Sequence, residues 1–334
     1  MTTNEYMSAD ELGVQNHICL LPYGKGFENA VKDWTTDDLK PYQSYVVNGE
    51  AVDTMFKGLI FTPITGRGHH FITPMYAHLG DEAQKKDWKI AIKRLFQFDY
   101  NFGAAAQNTK DGQTTDIWVT LPYPIFSQTN FGVVNGEDIN FKEEDNRFLV
   151  VKWWIDKFIN CWNMAKKLHN KLTFRGFVWP RASIDSSDEE LVKKVTDYIR
   201  TQDVLSLWLQ QYGSTGCVNW KEFGFDAACT HPNFFGTSWP DFTWIANTTV
   251  FARHYHTGFQ ISFGKGLLFK ENHLLDYLNY GVYNEYMNDS LLVFEFPNQT
   301  MKEIIENHPV EYNYLYSFIK KNYVPVYPTA AFPS

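Results

Sequence analysis

"TFRGFVWPRASIDSSDEELVKKVTDYIRTQDVLSLWLQQYG" spans residues 173–213, and how it is read decides the fold. Residues 173–180 form an apolar run that Pro180 stops. Ser186 and Ser187 then precede Asp188, Glu189 and Glu190, the acidic first turn expected of a helix over 186–201. A second apolar run follows at 203–213. Strand, helix and strand in so short a span make a parallel crossover unit. Neither run alternates polar with apolar residues. Both faces of each strand are therefore expected to be buried, as in a parallel sheet covered by helices.

The same alternation extends outward in both directions. Strands are expected at 17–24, 55–68, 116–124, 173–180, 203–213, 225–235, 258–264 and 291–297. Helical segments are expected at 34–47, 81–98, 146–170, 186–201, 218–224 (a short turn), 242–257, 272–289 and 300–323, the last broken near Pro309. In 81–98, Trp88, Ile90, Ile92, Leu95 and Phe96 carry the helical spacing. The count and order predict a single (β/α)8 TIM barrel over 17–323. An N-terminal extension (1–16) precedes it and a C-terminal tail (324–334) follows. A doubly wound open sheet is the alternative. It is weakened because "PYGKGFEN" (22–29) does not have the glycine spacing of a dinucleotide turn.

Hydrophobic residues make up 44% and charged residues 20% of the chain, a globular composition. The net charge is −8 with no Lys/Arg-rich run, so no nucleic-acid partner is expected. The four cysteines, Cys19, Cys161, Cys217 and Cys229, fit neither a zinc site nor a disulfide framework. The stretch "MTTNEYMSADELG" (1–13) is polar, so no leader peptide is expected, and no segment is long and apolar enough to insert in a membrane.

In a barrel of this kind the active site lies where strands end and the following loops begin. The expected ligand-binding residues are Tyr23, Arg67, Tyr123, Gln128, Trp179, Arg181, Gln210, Tyr212, His231 and Asn233, with Thr62 and Ser262 at further strand ends. Amides, phenols, imidazoles and rings suit a neutral hydroxylated ligand, and carbohydrate is the natural class. Glycoside hydrolysis needs two carboxyl groups, one as acid and one as nucleophile or base. Only Glu295 is expected at a strand end, as the catalytic candidate. Asp116 and Asp226 fall at strand starts, where stability is the usual role. Asp185, Asp188 and Glu189 read as helix-start charges, and Asp241 lies in a loop that could reach the mouth. His69 and His70 are adjacent and cannot easily chelate one ion together, so neither a metal nor a cofactor is expected.

Several segments together resemble an uncharacterised, mainly bacterial family that carries a domain-of-unknown-function label. They are "KDWKIAIKRLF" (86–96), "VTLPYPIFSQTNFG" (119–132), "RGFVWPRASI" (175–184), "VNWKEFGFDAACTHPNFF" (218–235) and "YLNYGVYNEYM" (277–287). The resemblance covers His17 to Tyr323 and implies a glycoside-hydrolase-like barrel of extracellular or cell-surface proteins. Tyr123, Gln128, Trp179, Asp226, Pro232 and Asn233 match its pattern. Ala182 stands where it carries a Glu, Gln260 and Ser262 where it carries an acidic pair, His231 where it carries Gln, and Phe234 where it carries Tyr. The resemblance therefore implies a sugar pocket whose acidic groups are replaced. Three functions follow as expectations: a hydrolase using relocated groups, a carbohydrate-binding barrel without turnover, or an interaction protein with no small ligand.

Overall fold

The computed structural model describes residues 4–25, 31–73, 79–236, 243–270 and 272–327. Eight parallel strands close into a barrel: β1 (Ile18–Tyr23), β2 (Gly58–Pro63), β3 (Thr115–Thr120), β4 (Leu172–Trp179), β5 (Leu205–Gln211), β6 (Ala227–His231), β7 (Gly258–Ser262) and β8 (Leu292–Glu295). Each pairs with its sequence neighbours, and β1 pairs with both β2 and β8 to complete the ring. Helices cover the outside: α1 (Thr36–Gln43), α2 (Lys85–Leu95), α3 (Phe102–Asn108), α4 (Glu144–Met164), α5 (Glu189–Arg200), α6 (Thr243–Tyr255), α7 (His273–Tyr283), α8 (Tyr286–Asp289), α9 (Met301–Asn307) and α10 (Pro309–Ile319). The chain is a (β/α)8 barrel.

Differences from the sequence expectation are local. The helix expected over 34–47 stops at Gln43 and turns into a hairpin of residues 44–47 and 50–54. Asn48 (φ 50°) and Gly49 (φ 84°) sit at its tip in the left-handed conformation that a tight hairpin turn requires. Asn135 (φ 54°) and Gly136 (φ 92°) make the same turn between strands at 132–134 and 137–139. The helix over 272–289 divides into α7 and α8. The helix over 300–323 divides at Pro309, which occupies the first turn of α10.

Register and ring contacts identify the two faces of the barrel. Phe177 packs on Trp154 and Phe158 of α4, and Phe61 packs on Phe102 of α3, so these positions face the helices. Phe259 stacks on Tyr286 of α8 at 4.3 Å and is in register with Leu292. The alternate residues, among them Ile60, Trp118, Val178, Cys229, Gln260 and Val293, face the lumen, because successive side chains of a strand point to opposite sides.

The N-terminal extension closes the end of the barrel where the strands begin. Met7 exchanges backbone hydrogen bonds with Thr257 and Leu291, and Tyr6, Met7, Ala9 and Val14 are buried in the core. The Gln15 N–H donates to Asp116 at 2.7 Å, and Arg175 approaches the same carboxylate to 2.9 Å. Asp226, at the other predicted stability position, accepts from the Ser206 backbone and hydroxyl, each at 2.8 Å.

His17 lies at this closed end, with its ring edge-on to Phe294 and its Nε2 buried without a hydrogen-bond partner. Burial, assisted by nearby lysines, pushes its pKa down to about 3. An unfolded chain takes up this proton near pH ~6.5 and the native one does not. Its contribution is therefore complete above ~6.5 and drains away as pH falls toward 3. Thermal melts should show Tm falling through that window by the equivalent of a few kcal/mol at most. His17→Phe should flatten the slope, and an unchanged slope would show that His17 is not the linked group.

Candidate functional site

The last residues of the barrel strands form the rim of the mouth, and among those eight positions only Glu295 is a carboxylate. Glu295 is in register with Ser262 on β7, and both have the lumen-facing parity of Gln260 and Val293. His231 ends β6 with the same parity as Cys229. Its Nε2 lies 3.5 Å from Glu295 Oε1. On its other side, His231 Nδ1 accepts the Asn233 backbone N–H at 3.0 Å. That bond leaves the neutral ring's proton on Nε2, toward the carboxylate. Burial lowers the His231 pKa, against the opposing pull of Glu295. Asn233 holds its N–H in place with a left-handed φ of 55°, and its side-chain amide donates to the Tyr212 carbonyl at 3.1 Å.

His231 Nε2 and Ser262 Oγ are both buried and make no hydrogen bond among the described residues. Buried polar groups are normally satisfied, so two such atoms beside a carboxylate mark a place where a ligand or water can bond. On the opposite arc, Thr62 and Thr120 spend their hydroxyls on each other at 2.7 Å.

On the β4 side of the barrel a second acidic group is fully engaged. Asp188 occupies the N-cap position of α5 but makes no capping bond with its side chain. Instead it is wholly buried, accepting from Arg147 at 2.5 Å, Arg181 at 2.6 Å and the Tyr123 hydroxyl at 2.9 Å. Burial and the Asp188 charge push the Tyr123 phenol up to about 12. Arg181 also reaches Asp185 at 3.1 Å, so its expected ligand-clamp role competes with two carboxylates already bound. Ala182, where the resemblance placed a missing Glu, contributes only its carbonyl, which accepts the Gln211 N–H and the Ser214 hydroxyl.

The sequence expectation placed Asp188 among simple helix-start charges and did not single out Arg147. Arg147 precedes Val150, Val151, Trp154 and Phe158 on the buried stripe of α4. A cation at a core position of an amphipathic helix was the signal available in the sequence.

Several expected ligand residues lie elsewhere. Tyr23 is fully buried and donates to the Ala91 carbonyl at 3.2 Å, a packing role. Arg67 grips Asp87 through Nε at 2.7 Å and a terminal nitrogen at 2.9 Å, tying its loop to α2. Gln128 is buried and donates to the Ala83 carbonyl. Trp179 and Gln210 are buried on the helix-facing side: Trp179 is in register with Trp208, whose ring packs on Phe223 and Phe225. Gln210 donates to Thr230. The Tyr212 ring leaves the mouth for α6, where it meets Trp244 and Phe251 edge-on. Of the expected set, the structure brings Glu295, His231 and Asn233 together, and separately Tyr123 and Arg181. Asp241 lies outside the described residues.

With this geometry established, the sequence family described as "Domain of unknown function (DUF4855)" matches residues 18–317. The chain belongs to that family. No curated protein matches it. Similar solved structures include mutant tryptophan synthase alpha-subunits from the hyperthermophile Pyrococcus furiosus. One is 9% identical with a TM-score of 0.42, covering 91% of this chain and 96% of that one. Another is 10% identical with a TM-score of 0.43, covering 96% and 98%. Nothing about activity transfers at that distance. Among the described residues of the DUF4855 barrel, no group of His, Cys, Asp and Glu could hold a metal, and no helix is long and apolar enough to cross a membrane.

The two acidic groups at the mouth differ in what they support. Asp188→Asn leaves two guanidinium groups at a buried site without their anion and should cost ~3–5 kcal/mol in urea unfolding. Glu295→Gln, at a partly exposed site, should change stability by less than about 1 kcal/mol. Equal losses in the two variants would contradict this division.

Proposed function

We propose that this barrel binds carbohydrate at its C-terminal mouth, with Glu295, His231 and Ser262 as the polar contacts. The supporting observation is this side-chain cluster: one carboxylate, one imidazole Nε2–H 3.5 Å from it and one hydroxyl, the latter two without a hydrogen bond among the described residues. A carboxylate accepts from sugar hydroxyls, the imidazole donates, and the serine does either. Tyr123 and Arg181 lie on the β3–β4 side of the mouth, with the guanidinium 5.2 Å from the phenol ring centre.

The same arrangement favours binding over two-carboxylate hydrolysis. A glycosidase needs a second carboxyl group about 5–9.5 Å away, free to exchange a proton or to attack. Asp185 and Asp188, which follow β4, are both held by Arg181, and Asp188 by Arg147 as well. Among the described residues, Glu295 remains the one catalytic candidate. If turnover occurs, His231 is the group placed to share a proton with it.

A glycan array run beside an aryl-glycoside hydrolysis panel tests this. The expected outcome is binding of a restricted set of neutral glycans with no turnover above buffer. Glu295→Gln and His231→Ala should each weaken that binding at least tenfold, about 1.4 kcal/mol. Turnover that Glu295→Gln abolishes would convert the protein into an enzyme, and absence of any glycan binding would overturn the carbohydrate reading.

A further inference from the structure

On the outside of the barrel, a groove of about 290 Å3 runs along α6, lined by Tyr212, Asn247, Val250, Phe251, His254 and Tyr255. Its aromatic wall is ordered by ring contacts. Tyr212 meets Phe251 edge-on at 5.5 Å, and Phe251 meets Tyr255 at 4.5 Å. The opposite face of α6, Ile245, Thr248, Thr249 and Ala252, is buried against the barrel. The groove side leaves Trp244 43% and Val250 68% exposed. A helix that leaves rings and a valine in water on an ordered face keeps apolar surface available for a ligand.

The polar groups of the groove point to the ligand class. The hydroxyls of Tyr212 and Tyr255, the amide of Asn247 and the ring nitrogens of His254 make no hydrogen bond among the described residues. Among the described residues, no Lys, Arg, Asp or Glu lines the groove. The arginine of α6, Arg253, is turned away to Glu285 at 2.8 Å. Rings for stacking, edged by free neutral donors and acceptors, match a sugar ring's apolar face and equatorial hydroxyls. A lipid surface or an anionic ligand would call for cations, and none of the described residues lining the groove is one. The groove also adjoins the mouth: the Tyr212 N–H donates to the His231 carbonyl at 2.8 Å, while the Tyr212 ring forms part of the groove wall.

We propose that this groove is a second carbohydrate subsite, holding a neutral sugar residue of a chain whose other end lies in the barrel mouth. The assignment rests on the carbohydrate reading for its ligand class and on the α6 geometry for its place. A glycan array of neutral disaccharides and longer oligosaccharides tests it, with the full chain as wild type, Val250→Arg, the Asn247→Ala/His254→Ala double variant, and Glu295→Gln. Val250, Asn247 and His254 are exposed, so thermal melts should confirm that these variants fold as wild type does. Wild type should hold the longer chains more tightly than disaccharides. Val250→Arg and the double variant should lose that advantage, about tenfold, while disaccharide binding is retained. Glu295→Gln should weaken both. If the groove variants bind long chains as wild type does, the groove assignment falls and the mouth reading stands. If wild type binds short and long chains equally, the groove is likewise overturned. If wild type binds no glycan, both fall together.

Discussion

The mouth of this barrel is organised around one buried anion. Asp188 receives Arg147 from α4, Arg181 from the end of β4 and Tyr123 from the segment after β3. Arg147 adds bonds to the Pro124 and Ser187 carbonyls. Charge-assisted bonds of this kind, out of water, fix three loops relative to one another. Removing Asp188 would leave both guanidinium groups without their shared buried anion.

That constraint shapes the chemistry left to the mouth. The acidic group following β4 is spent on structure, and the lumen-facing acid–imidazole pair spans β7, from Glu295 on β8 to His231 on β6. The Asn233 N–H orients the imidazole, and the Asn233 side chain is in turn tied to Tyr212. A single backbone turn therefore sets the proton on His231 and places the Tyr212 ring on α6. The mouth and the α6 groove are coupled through one short segment rather than through a long path.

Much of the barrel was legible in the sequence because strands buried on both faces read as continuous apolar runs. All eight appear close to where those runs predicted them, and Pro309 divides the last helical segment as its chemistry requires. The two hairpins carried Asn-Gly turns at 48–49 and 135–136, a strong local signal. The first was absorbed into a helix because the apolar run beside it fits either period. The site was legible in part. Glu295 and Asn233 fell at strand ends, and His231 was marked as a departure from the family pattern. Tyr23, Trp179 and Gln210 were also near strand ends, but the sequence does not say on which side a strand's last residues emerge. Register against Trp208 decides that for Trp179, and burial decides it for Tyr23. Asp188 could not be told from an ordinary helix-start acid until Arg147 and Arg181 were placed around it in space.

The most direct measurement is a crystal structure of the protein soaked with an oligosaccharide selected on a glycan array. The account expects an intact sugar in the barrel mouth, with hydroxyls on Glu295, His231 Nε2 and Ser262 Oγ, and with Asp188 still held by both arginines. A sugar seated away from these three residues, or a cleaved one with Asp188 released from Arg181 and turned toward it, would contradict the account.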